Sequence, residues 1–259
     1  MIITTDAVIL RSRRYGESSR IVTLYTRERG KLGAIAKGVR GGGKARRVLP
    51  LDPTSIVRAV LYWKETRELQ LLSQCDPIVS PEGLGPDLAR MGAGMGIVEL
   101  TDLVTLPGEA SETLYSLLSG TLVGVQRATS NAENALYFYE VRLLDVLGFR
   151  PELHRCVACR ITVLDQQQGK ETDVRVSASG VLCPRCSADH RGLLSLSPAA
   201  LRILQRMQEV EGVEPILRIA LAPGVKMELG RTLHLFLQSH ADGYRVLKSQ
   251  EVFAAITPR

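Results

Sequence analysis

Two pairs of cysteines constrain the folding of this chain more than any other feature of its sequence. Cys156 and Cys159 form the first pair, Cys183 and Cys186 form the second, and each pair has the spacing Cys-x-x-Cys. Such a turn offers two thiolates to one ion, and two turns complete the tetrahedral shell of a zinc ion. Because four thiolates leave no position for a catalytic water, we predict one structural Zn²⁺ per chain.

Other uses of paired cysteines explain the pattern less well. Two disulfides are one alternative, but 5 Cys in 259 residues is far below the density of a disulfide scaffold. A thioredoxin-like redox pair is a second, although that motif occurs once, in a strand–helix unit. A zinc deaminase needs a His-x-Glu element, whereas His154 is followed two residues later by Cys156. Cys75, in an apolar run, is expected to be a small core residue.

The positive charge of the chain is concentrated near its N-terminus. The formal net charge is +6, yet residues 1–80 carry 15 Lys and Arg against 7 Asp and Glu, and residues 1–47 carry 12 against 3. A basic region on a near-neutral body favours a polyanionic partner such as nucleic acid. The alternative is a solvated surface that serves solubility. Since aromatic residues make up only 5%, contacts from Arg and Lys to phosphates are favoured over base stacking.

The basic region has the pattern of short strands. Five β-rich segments follow one another at 7–10, 20–26, 30–38, 54–63 and 68–78, with turn residues between them. Five strands at near-regular spacing in under 80 residues predict a small closed barrel, with the OB-fold as the leading interpretation. The groove of an OB-fold is a common seat for single strands.

A glycine-rich basic loop interrupts the strands at residues 37–47. It contains five cations and the triplet Gly41, Gly42 and Gly43, but no P-loop pattern. Such a loop can order around a phosphate backbone; the alternative is a linker with solvated charge. The end of the first strand is also basic, and both segments can reach the same rim of a barrel. We therefore predict one DNA-binding surface formed by Arg11, Arg13, Arg14, Lys37, Arg40, Lys44, Arg46 and Arg47.

Beyond Pro81 the hydrophobic period changes from two to about 3.6, which predicts helices. Ser130 and Glu133 have the spacing of a capping box for a helix that ends at Gly148. A later apolar stripe, from Leu229 to Leu247, predicts one long amphipathic helix. The predicted fold class is α+β multidomain. Its parts are an N-terminal OB-fold barrel (1–80), a helical domain (81–150 and 196–259) and a four-cysteine zinc module (151–195) inserted in that domain.

Several motifs, in this order along the chain, resemble the RecO family of bacterial recombination mediators. The N-terminal motifs are Tyr15-Gly16-Glu17 and the segments 21–26, 30–32 and 36–40. The later motifs are the approaches to the two cysteine pairs, at 148–159 and 179–186, and Leu247-Lys248-Ser249. Each motif alone has modest specificity, but together, in this order, the motifs span nearly the whole chain.

The resemblance implies a non-enzymatic role in recombinational DNA repair. Members of the RecO family bind single- and double-stranded DNA, work with RecR, and help to load RecA onto strands coated by single-strand-binding protein (SSB); some anneal complementary strands. The partners expected here are therefore DNA, RecR and SSB, with RecA reached indirectly. A cytoplasmic, nucleoid-associated location is expected, because residues 1–6 lack the basic start of a signal peptide. No apolar run has membrane-spanning length, so no membrane partner is expected.

Two other functions stay open on the sequence alone. The first is an OB-fold and zinc-ribbon factor that binds RNA in translation or transcription. The second is a zinc-dependent enzyme acting on nucleic acid, which would need a cluster of catalytic carboxylates. No such cluster is evident in the sequence, so we expect no enzymatic activity.

Overall fold

The first five strands close into a barrel in the computed structural model, which describes residues 1–39, 49–79, 84–164, 173–188 and 192–256. The strand order around the barrel is β1-β2-β3-β5-β4, and β4 pairs again with β1. All neighbours are antiparallel except β3 and β5. The barrel strands are β1 (Ile2–Tyr15), β2 (Ser19–Thr26), β3 (Gly30–Ala36), β4 (Ile56–Tyr62) and β5 (Leu69–Val79).

The barrel interior is filled by alternate residues of each strand, as the period of two requires. On β3, Leu32, Ala34 and Ala36 face the core while the residues between them are half-buried. The pairing of β1 with β2 shifts register between Ile9 and Arg11. Beyond this bulge β1 pairs with β2 alone out to Tyr15, because its pairing with β4 ends at Val8, while β2 also pairs with β3 up to Arg20.

Three helices belong to the same compact unit as the barrel. Unit 1 comprises Met1–Ala132 and Leu247–Arg259, and its helices are α1 (Leu88–Val104), α2 (Glu112–Arg127) and α8 (Lys248–Ile256). The terminal helix α8 packs on α1. A Cβ at Gly92 would lie 3.2 Å from the ring of Phe253, and Glu99 accepts hydrogen bonds from the backbone of Lys248 (3.0 Å) and Ser249 (2.9 Å).

Unit 2 comprises Glu133–Val246 and contains the cysteine pairs. Its three-stranded sheet has the order β7-β6-β8, and Leu204, Leu229 and Phe236 are among the buried side chains of its helices. The elements of unit 2 are α3 (Asn134–Val146), β6 (Val174–Ser177), β7 (Gly180–Leu182), α4 (Pro184–Ser187), β8 (Leu194–Leu196), α5 (Pro198–Glu209), α6 (Glu214–Leu217) and α7 (Pro223–His240).

The expected fold class is confirmed, since an OB-like closed barrel is followed by a helical part in which four cysteines lie together. The predicted end of α3 is also correct, because Gly148 adopts φ +82 just after the helix. Likewise Cys75 is a buried core residue. In the described parts of the chain, no helix is both long enough and apolar enough to cross a membrane.

Two predicted helix boundaries are wrong. Ser130 does not cap α3, because the helix begins four residues later at Asn134; Asn131 lies at φ +50, and Glu133 binds Lys226 Nζ (2.7 Å) instead. The predicted helix up to Leu247 ends at His240, and a new helix starts at Lys248. Gly243, at φ +78, lies in the break, and its conformation is one that glycine adopts without strain.

Candidate metal centre and nucleic-acid interface

The first cysteine pair lies in a tight turn that the backbone closes. The amide of Cys156 donates to the carbonyl of Ile161 (2.8 Å), and the carbonyl of Cys156 accepts from Arg160 (2.9 Å). Arg160 adopts φ +63, so the chain reverses directly after Cys159. The turn thereby points both thiols of the pair to one side.

The second pair lies at the start of the short helix α4. Cys183 is the N-cap residue of α4, and its Sγ accepts a hydrogen bond from the Cys186 amide at 3.4 Å. Pro184 occupies the first turn, where its fixed φ suits a helix start. The strand β7 leads directly into Cys183, so a hairpin of the small sheet presents the second pair.

Gly180 brings the two pairs together, and this role was not predicted from the sequence. Gly180 forms an isolated β-bridge with Glu152. The Glu152 amide donates to the Ser179 carbonyl (3.0 Å), and the Glu152 carbonyl accepts from the Val181 amide (2.9 Å). Gly180 has φ +141, and a Cβ there would lie 2.2 Å from the Glu152 carbonyl oxygen. Only glycine fits so close a backbone approach. The sequence signal was the glycine three residues before Cys183.

The four thiols form a cluster that fits a tetrahedral ion. All four Sγ atoms lie within 4.8 Å of one another, and those of Cys159 and Cys183 are 3.7 Å apart. A zinc ion at about 2.3 Å from each sulfur would place the sulfurs about 3.8 Å apart. Cys156 and Cys183 are buried, while Cys159 and Cys186 are half-buried. The predicted ligand residues are therefore close enough together to hold one metal ion.

The thiols also differ in how readily they ionise. Burial disfavours the Cys156 thiolate, but backbone hydrogen bonds, chiefly from Cys159, outweigh it and lower the pKa of Cys156 to about 6. Hydrogen bonds from Cys159 and Cys183 raise the pKa of Cys186 to about 12. The cluster thus favours ionisation of Cys156 and disfavours ionisation of Cys186 beside it. A bound divalent cation would stabilise all four thiolates together. Burial raises the pKa of Cys75, outside the cluster, to about 12.

Arg185 is a cation beside the thiols that sequence reasoning did not single out. A hydrogen bond with Cys159 and the charges of the neighbouring thiolates raise the pKa of Arg185. Its position between Cys183 and Cys186 was the available signal, because a residue inside the turn stays near both sulfurs.

The predicted DNA-binding residues of β1 do not all have the same surroundings. Arg11 forms an ion pair with Asp102 of α1, which also lies 3.3 Å from Lys31 Nζ. Arg13 and Arg14 are exposed. Because side chains alternate along a strand, Arg11 and Arg13 share one face of β1 and Arg14 lies on the other. Arg11 is thus held in an ion pair with α1, whereas Arg13 and Arg14 are exposed to solvent.

The rest of the predicted surface lies close to the β1–β2 hairpin as far as the structure describes it. Lys37 is exposed just after β3, and the amide of Val39 donates to the Ser18 carbonyl in the hairpin turn (2.9 Å). On the far side of the loop, Asp52 pairs with Arg20 of β2 at 3.3 Å. The described ends of the loop thus flank the hairpin. Four predicted residues lie outside the described parts of the chain: Arg40, Lys44, Arg46 and Arg47.

Two arginines at the other end of the barrel stack on aromatic rings of unit 1. The guanidinium of Arg29 stacks over the Trp63 ring at 4.4 Å, and that of Arg27 over Tyr115 at 4.8 Å. Both arginines lie at or beside the β2–β3 turn, opposite the β1–β2 hairpin. Arg13, Arg14 and Lys37 are exposed at the hairpin end, whereas at the far end the exposed cations Lys64 and Arg67 lie in the β4–β5 turn.

Comparison with known proteins covers nearly the whole chain. Residues 1–81 match the family described as Recombination protein O N terminal, and residues 85–250 match Recombination protein O C terminal. A DNA repair protein RecO of Symbiobacterium thermophilum is 32% identical over 252 residues, which is 96% of each chain. That of Salinibacter ruber is 30% identical, with 98% of this chain and 94% of the relative covered. The resemblance seen in the order of the motifs is confirmed: the chain belongs to the RecO family of DNA repair proteins.

Proposed function

We propose that the protein is a non-enzymatic recombination mediator that binds single- and double-stranded DNA. In this proposal it anneals complementary strands and, with RecR, promotes loading of RecA onto SSB-coated DNA. The observation that carries the proposal is the basic end of the barrel. Exposed Arg13, Arg14 and Lys37 lie there, and the described ends of the cationic loop flank the same hairpin.

The chemistry of that end suits a phosphate backbone. Lysine and arginine that neutralise phosphates release the condensed counterions of the nucleic acid, and this supplies affinity without reading the sequence. Arg14 pairs directly with Arg20 across β1 and β2. Like charges at such positions are unfavourable to the folded hairpin, and an approaching polyanion relieves their repulsion. Asp52 offsets only one of them, Arg20.

The metal centre has a structural role in the proposal. Cys156, Cys159, Cys183 and Cys186 would hold one Zn²⁺, which would supply positive charge and four bonds. The apolar cluster around the thiols is small: it is Leu182 with two of the cysteines, and neighbours such as Val163 and Leu193 pack against it. A metal ion bound there would cross-link the two segments that carry the cysteine pairs and couple metal binding to local folding.

We also propose that the DNA contacts belong to residues 1–80 and the metal-dependent fold to residues 151–195. The helical segments 81–150 and 196–259 would then carry neither the DNA contacts nor the metal. In this division the protein acts in the cytoplasm and associates with the nucleoid through its DNA contacts. RecR and SSB are proposed partners because the family resemblance implies them.

The test is charge reversal in the basic loop. The double variant Arg46→Glu with Arg47→Glu is expected to weaken binding to single- and double-stranded DNA and to slow annealing of SSB-coated strands. Its melting temperature should match that of the unaltered protein, since the sequence predicts a solvated loop here and solvated charges contribute little to stability. The matched control is Lys64→Glu with Arg67→Glu, an equal charge change in the β4–β5 turn at the far end of β1.

Two outcomes would overturn the proposal. Equal losses of binding in both double variants would mean that the net charge matters and the hairpin end does not. Nuclease, ATPase or deaminase turnover that persists through purification and disappears with point variants would refute the non-enzymatic role. A filter-binding comparison with structured RNA checks the alternative, because tighter binding to that RNA than to single-stranded DNA would favour an RNA-binding factor.

A further inference from the structure

Tyr15 is an aromatic side chain left exposed at the tip of the basic hairpin. It is the last residue of β1 and is 55% exposed. In the described parts of the chain it has no hydrogen-bond, ring-stacking or cation–π partner of its own. The next residue, Gly16, turns the chain at φ +57, and no described atom lies within 4 Å of the position of its missing Cβ.

The strand register places two cations beside this ring. Tyr15 pairs with Ser19 of β2, and Arg13 pairs with Ile21. Arg13 and Tyr15 lie on the same face of β1, about 6.6 Å apart, because side chains two residues apart share a face. Lys37 directly follows Ala36, which pairs with Arg20, so Lys37 lies beside Ser19. Arg13 and Lys37 are exposed, and neither has an ion pair among the described residues.

We infer that Tyr15 is a stacking platform for one base of a single strand, with Arg13 and Lys37 on the adjoining phosphates. This inference rests on the proposed DNA binding and adds the residue that distinguishes single strands from duplex. An aromatic face accepts any base, so the contact needs no sequence preference. In a duplex the bases already stack on one another, and the platform gains nothing. The scarcity of aromatic residues in the sequence therefore does not rule out stacking at this one position.

The experiment uses the full-length protein and one oligonucleotide in two forms. A single-stranded DNA that carries a single 2-aminopurine is compared with the duplex of the same sequence at fixed salt. The variants are Tyr15→Ala, Tyr15→Phe and a control, Tyr62→Ala. Tyr62 is 46% exposed and pairs with Ile2, at the opposite end of β1 from Tyr15.

Tyr15→Ala is expected to weaken single-strand binding about 5- to 100-fold and duplex binding less than about twofold. Fluorescence quenching of 2-aminopurine by the protein should disappear in this variant. The slope of affinity against salt should not change, because no charge is lost. Tyr15→Phe and Tyr62→Ala should behave like the unaltered protein.

The inference fails if Tyr15→Ala keeps its single-strand affinity and quenching while charge reversal at Arg46 and Arg47 still weakens binding. That result would leave the proposed DNA binding intact. It also fails if Tyr15→Ala loses single-strand and duplex binding equally, since the ring would then only support the hairpin. If the unaltered protein binds neither form of DNA, the proposed function itself is wrong.

Discussion

At the scale of single residues, each clustered thiol depends on the charge of the others. Hydrogen bonds favour the Cys156 thiolate, whereas the neighbouring sulfurs raise the pKa of Cys186 to about 12. Four ionised sulfurs within 4.8 Å of one another are stable only with a cation among them. Loss of one sulfur therefore affects the binding of the whole shell.

Cys183→Ser is expected to reduce the metal content from about one zinc per chain to less than about half. Elemental analysis after gel filtration measures this, and hydrogen exchange of residues 173–188 should become faster because metal binding and local folding are coupled. Cys75→Ala is the control, since this core cysteine lies in the barrel and should leave the zinc content unchanged. Full zinc content in Cys183→Ser would contradict the four-thiolate site.

Glu140 is a second residue whose charge state matters, because its carboxyl group is buried in unit 2. Burial raises the pKa of Glu140 from 4.5 to about 8. Burial also raises the pKa of Tyr137 and of Tyr244, and the nearby Glu140 charge adds to both shifts. Between pH 4.5 and about 8 the unfolded chain is ionised at this position while the folded protein stays protonated. Folding then takes up a proton, and stability falls as the pH rises.

Glu140→Gln should remove this pH dependence. We expect the variant to be more stable than the unaltered protein by about 2–4 kcal/mol at pH 8, with a smaller difference at pH 5. Urea unfolding at the two pH values measures the difference. Glu211→Gln, at an exposed position of the same unit, controls for the effect of pH on the metal site. A difference that grows towards pH 5 would contradict the assigned protonation state.

At the scale of elements, contacts made within a segment were predictable and contacts between distant segments were not. The β-rich segments between turn residues predicted five barrel strands, although β1 extends well beyond the predicted 7–10, and Gly148 predicted the end of α3. Both signals act over a few residues. The spacing within each cysteine pair is likewise local, whereas the meeting of the two pairs was predicted only because a tetrahedral ion needs four ligands. The capping box predicted at Ser130 does not form, and Glu133 instead binds Lys226, which is 93 residues away in sequence.

The DNA-binding surface shows the same limit. The sequence grouped Arg11 with Arg13 and Arg14 because they are close in sequence, but of these three only Arg11 pairs with Asp102 of α1, which also pairs with Lys31. The importance of Gly180 was hidden for the same reason, because its close neighbour Glu152 lies in another segment.

Gly180→Ala should separate the two segments that carry the cysteine pairs. The new Cβ would lie 2.2 Å from the Glu152 carbonyl oxygen at φ +141, so we expect a loss of about 2–4 kcal/mol in unit 2 and weaker zinc retention against a chelator. Gly192→Ala is the matched control, since Gly192 has φ +82 but no described atom within 4 Å of its missing Cβ. It should cost about 1 kcal/mol and retain zinc. Equal effects of the two changes would show that the close approach is unimportant.

At the scale of the whole molecule, charge is distributed unevenly along the chain. Residues 1–47 carry 12 basic and 3 acidic side chains, although the net charge of all 259 residues is only +6. DNA binding should therefore be independent of sequence and steeply dependent on salt.

If about five phosphates are neutralised, log affinity should fall with log salt at a slope of about −4.5 for duplex and about −3.5 for single strands. Fluorescence anisotropy over a series of potassium chloride concentrations gives both slopes. The loop variant Arg46→Glu with Arg47→Glu should have shallower slopes, whereas Tyr15→Ala should not. A slope near zero, or strong preference for one sequence, would contradict binding through the phosphate backbone.

Unit 1 is built from both ends of the described chain, and this affects the order in which the protein can mature on the ribosome. Synthesis adds about 5–20 residues per second from the N-terminus, so the barrel emerges several seconds before α8. Until then, Gly92 and Glu99 of α1 lack the helix that packs against them. All four clustered cysteines emerge in that interval. All four residues of the proposed metal site are therefore available before unit 1 receives its last helix.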